Sequence, residues 1–131
     1  KNGKKDGPYI RYYKNGQLFL KTNYKDGKWD GPHIGYHDNG RLSFKGKHKD
    51  GKQEGPYVTY YKNGQLKLSA NYKADKLEGS YTLYNSAGVK KYSGKYLNDK
   101  KDGIWKYYKD NKSFDYQIEY INGISQGRQD G

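Results

Sequence analysis

Cysteine and methionine are absent from this chain of 131 residues, and proline occurs only 3 times. Without cysteine there is neither a disulfide framework nor a thiolate metal site, although the compartment stays open, because many secreted domains also lack cysteine. No apolar run approaches the length of a membrane-spanning helix. Hydrophobic residues of all kinds reach only 31%, which argues against an ordinary compact core even though the length suits one domain. There is no initiator methionine and no signal peptide, and Lys1-Asn2-Gly3 falls inside a turn sequence, so a trimmed or mature fragment is expected.

What the chain has instead is 17 tyrosines, 2 tryptophans, 3 phenylalanines and 18 glycines. Disordered chains are poor in aromatics, so disorder is excluded. Tyrosine suits a thin fold, since its ring buries while its hydroxyl stays wet, and glycine in this abundance marks many turns. The 26 Lys+Arg outweigh 14 Asp+Glu, a net charge of +12, which favours anionic partners. The same lysines would also keep a tyrosine-rich sheet soluble and unaggregated.

An acidic residue followed by glycine recurs every 24 residues, at Asp6-Gly7, Asp30-Gly31, Glu54-Gly55, Glu78-Gly79 and Asp102-Gly103, and Gln126-Gly127 holds the phase. Tyr12, Tyr36, Tyr60, Tyr84 and Tyr108 form a second column; Tyr24, His48, Tyr72, Tyr96 and Tyr120 form a third. Self-similarity at a fixed period marks a repeat architecture. The units run approximately 7–30, 31–54, 55–78, 79–102 and 103–126, with partial units at both ends of one repeat domain over 1–131. Each unit holds an aromatic run, an Asn-Gly turn (Asn15-Gly16, Asn39-Gly40, Asn63-Gly64), an alternating run and a second turn such as Lys25-Asp26-Gly27-Lys28. Asn-Gly and Asp-Gly between β-prone runs signal hairpins, because both residues tolerate positive φ. Two strands per unit and an all-β fold follow. A helix is excluded, because a glycine turn every dozen residues leaves it no useful length.

Period-two alternation assigns faces to the second strand. Leu18, Leu20, Thr22 and Tyr24, with Leu42, Phe44, Gly46 and His48 and their later counterparts, make a face expected to be buried; Lys21, Lys45, Lys47, Lys67, Lys91 and Lys95 make a wet, basic one. Gly46, Ala70 and Gly94 are expected where an aromatic from a neighbouring strand crosses the sheet. In the first strand the same alternation puts Tyr9, His33, Tyr57, Tyr81 and Trp105 on one face with Tyr13, His37 and Tyr61. Ile10, Ile34 and Val58 then share the other with the Tyr12 column. One of these faces leaves an aromatic row exposed or half exposed.

The stretch Gly-x-Tyr-x-x-Tyr-x-x-Asn-Gly-x-Leu, seen over Gly7–Leu18, Gly55–Leu66 and, with His33 for Tyr, Gly31–Leu42, resembles the bacterial variant of the MORN repeat, as does the following Lys-Asp-Gly-Lys and acidic-Gly pair. This variant occurs in proteins labelled YwqK-like antitoxins. The resemblance covers Gly7 to Gly127 and weakens in the last two units, where Pro8, Pro32 and Pro56 give way to Ser80 and Ile104 and the Asn-Gly turn is lost at Asn111-Lys112, as in the end cap of a solenoid. It implies an elongated single-layer antiparallel sheet of stacked hairpins, somewhat rolled. It also implies an interaction or scaffold role, antitoxin- or immunity-like or as a surface adhesion module. A bacterial secreted or envelope location is expected over a cytoplasmic one. At about 4.8 Å per strand, five units make a rod of about 50 Å.

Catalytic chemistry finds little support. All three histidines replace tyrosines of the repeat, and His33 and His37 lie about 13 Å apart along a strand, too far to share one ion. The acidic column offers five equivalent carboxylates and no reason to select two, so turn stabilisation is the better account. Asp26-Gly27 and Asp38-Asn39-Gly40 lack the spacing of calcium loops, and nucleophile, P-loop and dinucleotide motifs are missing. No enzyme activity, metal or cofactor is therefore expected. Binding to another protein through Tyr9, Tyr13, His33, His37, Tyr57, Tyr61, Tyr81 and Trp105 is the leading expectation, because Tyr and Trp dominate interface hot spots. The alternatives are an anionic lipid surface or nucleic acid met by Lys21, Lys45, Lys47, Lys67, Lys91 and Lys95, and a cell-wall or other glycan held by aromatic cages. Unpaired terminal edges add end-to-end self-association.

Overall fold

The computed structural model describes residues 3–130; Lys1 and Asn2, with the opening turn expected there, and Gly131 lie outside them. The described residues hold no helix, hence none long and apolar enough to cross a membrane. All their strands join in one antiparallel sheet.

Each of the first three units supplies a first strand, a longer second strand and a two-residue third. These are β1 (Gly7–Tyr12), β2 (Leu18–Lys25) and β3 (Lys28–Trp29); β4 (Gly31–Tyr36), β5 (Leu42–Lys49) and β6 (Lys52–Gln53); and β7 (Gly55–Tyr60), β8 (Leu66–Lys73) and β9 (Lys76–Leu77). The chain continues as β10 (Gly79–Tyr84), β11 (Lys90–Leu97), β12 (Lys100–Tyr108), β13 (Phe114–Ile121) and β14 (Ile124–Asp130). The sheet order is β1-β2-β4-β5-β7-β8-β10-β11-β12-β13-β14, with β3, β6 and β9 folded back on β2, β5 and β8. The third segment is absent from the two-strand expectation. It arises because the second strand is long enough to pair twice: in β2, Tyr24 and Lys25 pair with β3, while Leu20 and Lys21 pair with Gly35 and Ile34 of β4.

Between those two pairings the returning chain kinks at the acidic-Gly step, where Gly31 takes φ 91° and Asp30 N donates to Asn23 O at 2.9 Å. The same left-handed glycine recurs at Gly7, Gly55, Gly79 and Gly103, which explains that column. Its acidic neighbour does not stabilise its own turn. The carboxylates of Asp6, Asp30, Glu54 and Glu78 accept from the backbone N–H of Asp26, Asp50, Ala74 and Asn98, 20 residues on, and so bond to the following second turn.

Those second turns carry two successive positive φ values, as at Asp26 and Gly27 or Asn98 and Asp99, the geometry that matches strand twist in a two-residue hairpin. Where glycine is missing, Asp75 and Asp99 adopt the left-handed conformation and their carboxylates accept from Gln53 N and Leu77 N, each at 2.7 Å. The Asn-Gly turns differ from expectation. Only Gly16, Gly40, Gly64 and Gly88 have positive φ; Asn15 acts as an acceptor for Gln17 N at 2.9 Å while its amide donates to Asp38 O of the next unit at 3.1 Å. In the fifth unit Lys112 occupies the glycine position at φ 76°, so the turn expected to be lost is kept.

One irregularity reorders the faces. A register shift lies between Arg11 and Tyr12, and again between Gly35 and Tyr36, Thr59 and Tyr60, Leu83 and Tyr84, and Tyr107 and Tyr108. Such a bulge reverses the alternation beyond it. The face expected to be buried is covered only by its own row, as a single layer dictates: most of it is half-buried, Lys90 and Phe114 are exposed, and the buried apolar side chains among the described residues are Ala70, Val89 and Trp105. Aromatics do cross the small residues. A Cβ on Gly94 would lie 2.2 Å from the Trp105 ring, and one on Gly46 would lie 2.8 Å from Tyr57 Cδ1.

Candidate interaction surfaces

The members of the expected aromatic row have two different sets of partners. Tyr9, His33, Tyr57 and Tyr81 each pack edge-on against the ring of the hairpin partner strand: Tyr9 with Tyr24 at 5.7 Å and 83°, His33 with His48 at 4.7 Å and 86°, Tyr57 with Tyr72 at 5.8 Å and 82°, Tyr81 with Tyr96 at 5.0 Å and 73°. Burial raises the phenol pKa of Tyr57 and Tyr81, which keeps both neutral. Trp105 is 0% exposed and donates Nε1–H to Lys95 O at 3.0 Å, so it cannot anchor a partner.

Tyr13, His37 and Tyr61 follow the first strands, where Tyr13 packs on Phe19 and Lys67 Nζ sits over Tyr61. All three fasten one unit to the next: Tyr13 Oη donates to Tyr36 O at 2.6 Å, Tyr61 Oη donates to Tyr84 O at 2.7 Å, and His37 Nε2 meets Tyr60 O at 2.8 Å. An imidazole N–H does there what the phenol O–H does in the neighbouring units.

Hairpin register brings His33 beside His48, and Trp29 stacks on both at 4.8 and 5.0 Å. His33 Nδ1 is hydrogen-bonded to Thr22 Oγ1 at 2.9 Å, and desolvation, then the charge of His48, lowers its pKa to about 4. Desolvation lowers the His48 pKa too, against Asp75, which raises it. The signal was present in the columns: Tyr9 with Tyr24 and His33 with His48 are the same pair of positions. The column of Trp29 carries lysine just before the ring pairs of the first and fifth units, where Lys5 Nζ lies over Tyr9 and Tyr24 at 5.6 and 5.1 Å, and Lys101 Nζ over Trp105 and Tyr120 at 4.9 and 5.1 Å. The aromatic pairs of these three units are thus covered from within. Among the described residues no group of three His, Cys, Asp or Glu side chains converges as metal ligands would.

On the opposite face Lys21, Lys45, Lys47, Lys67 and Lys95 are exposed, and none of them has a carboxylate in salt-bridge range among the described residues. Lys91 departs from this stripe: it is half-buried and paired with Asp110 at 2.8 Å. Cross-strand register shows what lies between the lysines. Ile10 faces Lys21, Lys21 faces Ile34, Ile34 faces Lys45, and Lys45 faces Val58, a continuous row along the sheet axis. The row then changes character through Ser69, Thr82 and Ser93.

A family model of the MORN repeat variant matches residues 5–26 and 53–74. Two stretches of the chain thus match the MORN repeat variant. No curated protein matches the chain. MORN repeats are non-catalytic modules that generally bind proteins or membranes, and in this chain the matched stretches contain β1 with β2 and β7 with β8, which hold the start and end of the aliphatic and cationic row.

Proposed function

We propose that these MORN-variant repeats form a non-catalytic scaffold that binds another protein through the lysine-bearing face rather than through the aromatic rings. The observation that carries this reading is the alternating row Ile10, Lys21, Ile34, Lys45, Val58, in which unpaired cations stand between aliphatic side chains. Aliphatic contact supplies burial, and the cations supply orientation and steering toward an acidic surface. Tyr9, His33, Tyr57 and Tyr81 serve the fold as hairpin ring pairs, and Tyr13, His37 and Tyr61 serve it as locks between units.

An anionic bilayer or a nucleic acid would meet the same lysines. A phosphate-tracking groove interleaves cations with stacking rings, and here the interleaved residues are aliphatic. A glycan or cationic ligand held in an aromatic cage would have to displace Lys5, Trp29 or Lys101 from the ring pairs they cover. The test is a photoreactive benzoylphenylalanine in place of Ile10, irradiated in extract of the source cells. Covalent adducts to a protein, lost on Lys21→Glu with Lys45→Glu, are expected; adducts confined to lipid or RNA would overturn the reading.

A further inference from the structure

The lysine face holds two shallow apolar grooves that are copies of one another. The first, of 330 Å³, is lined by Pro8, Lys21, Thr22, Asn23, Pro32 and Ile34. The second, of 280 Å³, is lined by Pro32, Lys45, Gly46, Lys47, Pro56 and Val58. Every lining position of the second is that of the first advanced by 24 residues. Pro32 is the wall they share. A third copy would need proline where Ser80 stands and lysine where Ser69 stands, so the tandem site is confined to the first three units.

Repetition sets the spacing of whatever fills both grooves. One unit contributes two strands to the sheet axis, so equivalent points lie about 9.6 Å apart. A polyproline II segment rises about 3.1 Å per residue with three residues per turn, which places every third side chain on one side at about 9.3 Å intervals. A β-strand would put residues three apart on opposite sides. Along the grooves the ligand passes Lys21, Lys45 and Lys47, none of which has a carboxylate partner among the described residues, so acidic side chains between the seated ones complement them. We propose that the first three units bind an acidic polyproline II segment of a partner protein, with apolar side chains at i and i+3 seated in the two grooves and carboxylates between them paired to Lys21, Lys45 and Lys47. This rests on the protein-binding reading above and adds to it the conformation, spacing and charge of the ligand. The occupant differs from a Pro-x-x-Pro ligand of aromatic-lined grooves: the prolines here belong to the receptor, and the ligand supplies charge.

The test titrates the whole chain with two fluorescent 12-residue peptides of identical composition, rich in glutamate and proline, with leucine at every third position in one and at every fourth in the other. At moderate salt the first is expected to bind at least fivefold tighter. Pro32→Ser with Ile34→Thr, which installs the residues already present at Ser80 and Thr82 of the fourth unit, is expected to remove that preference while leaving the far-ultraviolet spectrum unchanged. Lys21→Glu with Lys45→Glu is expected to abolish binding of both peptides. Equal affinity for the two spacings, or a preference that survives the Pro32 and Ile34 changes, would overturn the groove assignment, while protein adducts at position 10 would still uphold protein binding. Tighter binding to vesicles of phosphatidylcholine and phosphatidylserine than to either peptide would overturn both.

Discussion

The His33 and His48 pair makes one repeat sensitive to acid in a way its neighbours are not. Unfolded, a histidine titrates near 6.5; in the folded chain His33 titrates at about 4, because its ring is enclosed by Trp29, Phe44, Thr22 and His48. Below 6.5 the unfolded chain takes up a proton that the folded chain refuses, so the contribution of the neutral ring is fully present above pH 6.5 and is lost as pH falls toward 4. The full interval has a ceiling of about 3 kcal/mol. Only half of the ring is enclosed, and solvent screening brings the expected loss to about 1–2 kcal/mol. His48 shifts in the same direction and adds to it, with Asp75 opposing. The variant His33→Tyr with His48→Tyr restores the ring pair found at Tyr9 with Tyr24 and Tyr57 with Tyr72. Thermal unfolding by circular dichroism at pH 7.5 and 5.0, with amide exchange across residues 29–48 as the local readout, measures the difference. The wild type should lose several degrees more than the variant. Any acid loss that the two proteins share cancels in the difference. An equal acid loss in the two would refute the assignment.

Lys112→Gly should raise stability by about 0.5–1 kcal/mol, because the position already sits at φ 76° and glycine removes the left-handed penalty; a lower denaturation midpoint would contradict it. Gly94→Ala should cost about 2–3 kcal/mol, and Gly46→Ala less, since the added Cβ meets the buried Trp105 ring at 2.2 Å in one and the edge of Tyr57 at 2.8 Å in the other; denaturant unfolding ranks them. Tyr61→Phe removes the donor to Tyr84 O and should cost about 1 kcal/mol, with faster amide exchange at the joint between the third and fourth units and unchanged exchange in the first.

Repetition made the architecture legible. Once Asp6-Gly7 was seen to return every 24 residues, two main strands per unit followed from turn chemistry and alternation alone. What stayed hidden were features that depend on register rather than on residue type. A bulge adds one residue to a pairing and leaves no mark in composition, yet it sets Leu18, Leu42 and Leu66 opposite Tyr12, Tyr36 and Tyr60 and so parts them from the alternation of Leu20, Phe44 and Leu68. The carboxylate of Asp30 reaches the turn at Asp50, which no local reading of Asp-Gly would show. Trp105 was indistinguishable from an exposed Tyr9 in the column pattern, because only its neighbours Gly94, Tyr92 and Tyr96 enclose it.

The differences between units separate what the fold requires from what it does not. The left-handed kink glycine, the second turn with its two left-handed residues and the ring of the Tyr24 column persist through Gly103, Asn122-Gly123 and Tyr120. The tyrosine locks end with Tyr61, whose bond to Tyr84 O still joins the third unit to the fourth. The proline, aliphatic and lysine columns of the opposite face also stop, and at Ser80, Thr82, Ser69 and Ser93 the same strands pair in the same register with hydroxyl side chains. The backbone therefore tolerates serine and threonine there, and proline with isoleucine or valine is not a condition of building the sheet. Exposed isoleucine on a sheet face lowers solubility and invites association, so Ile10, which is 44% exposed, is a cost to the isolated chain. A residue that the fold can replace and the solvent disfavours calls for another reason to be kept, and contact with a partner on the half of the face that ends at Val58, as proposed above, supplies one.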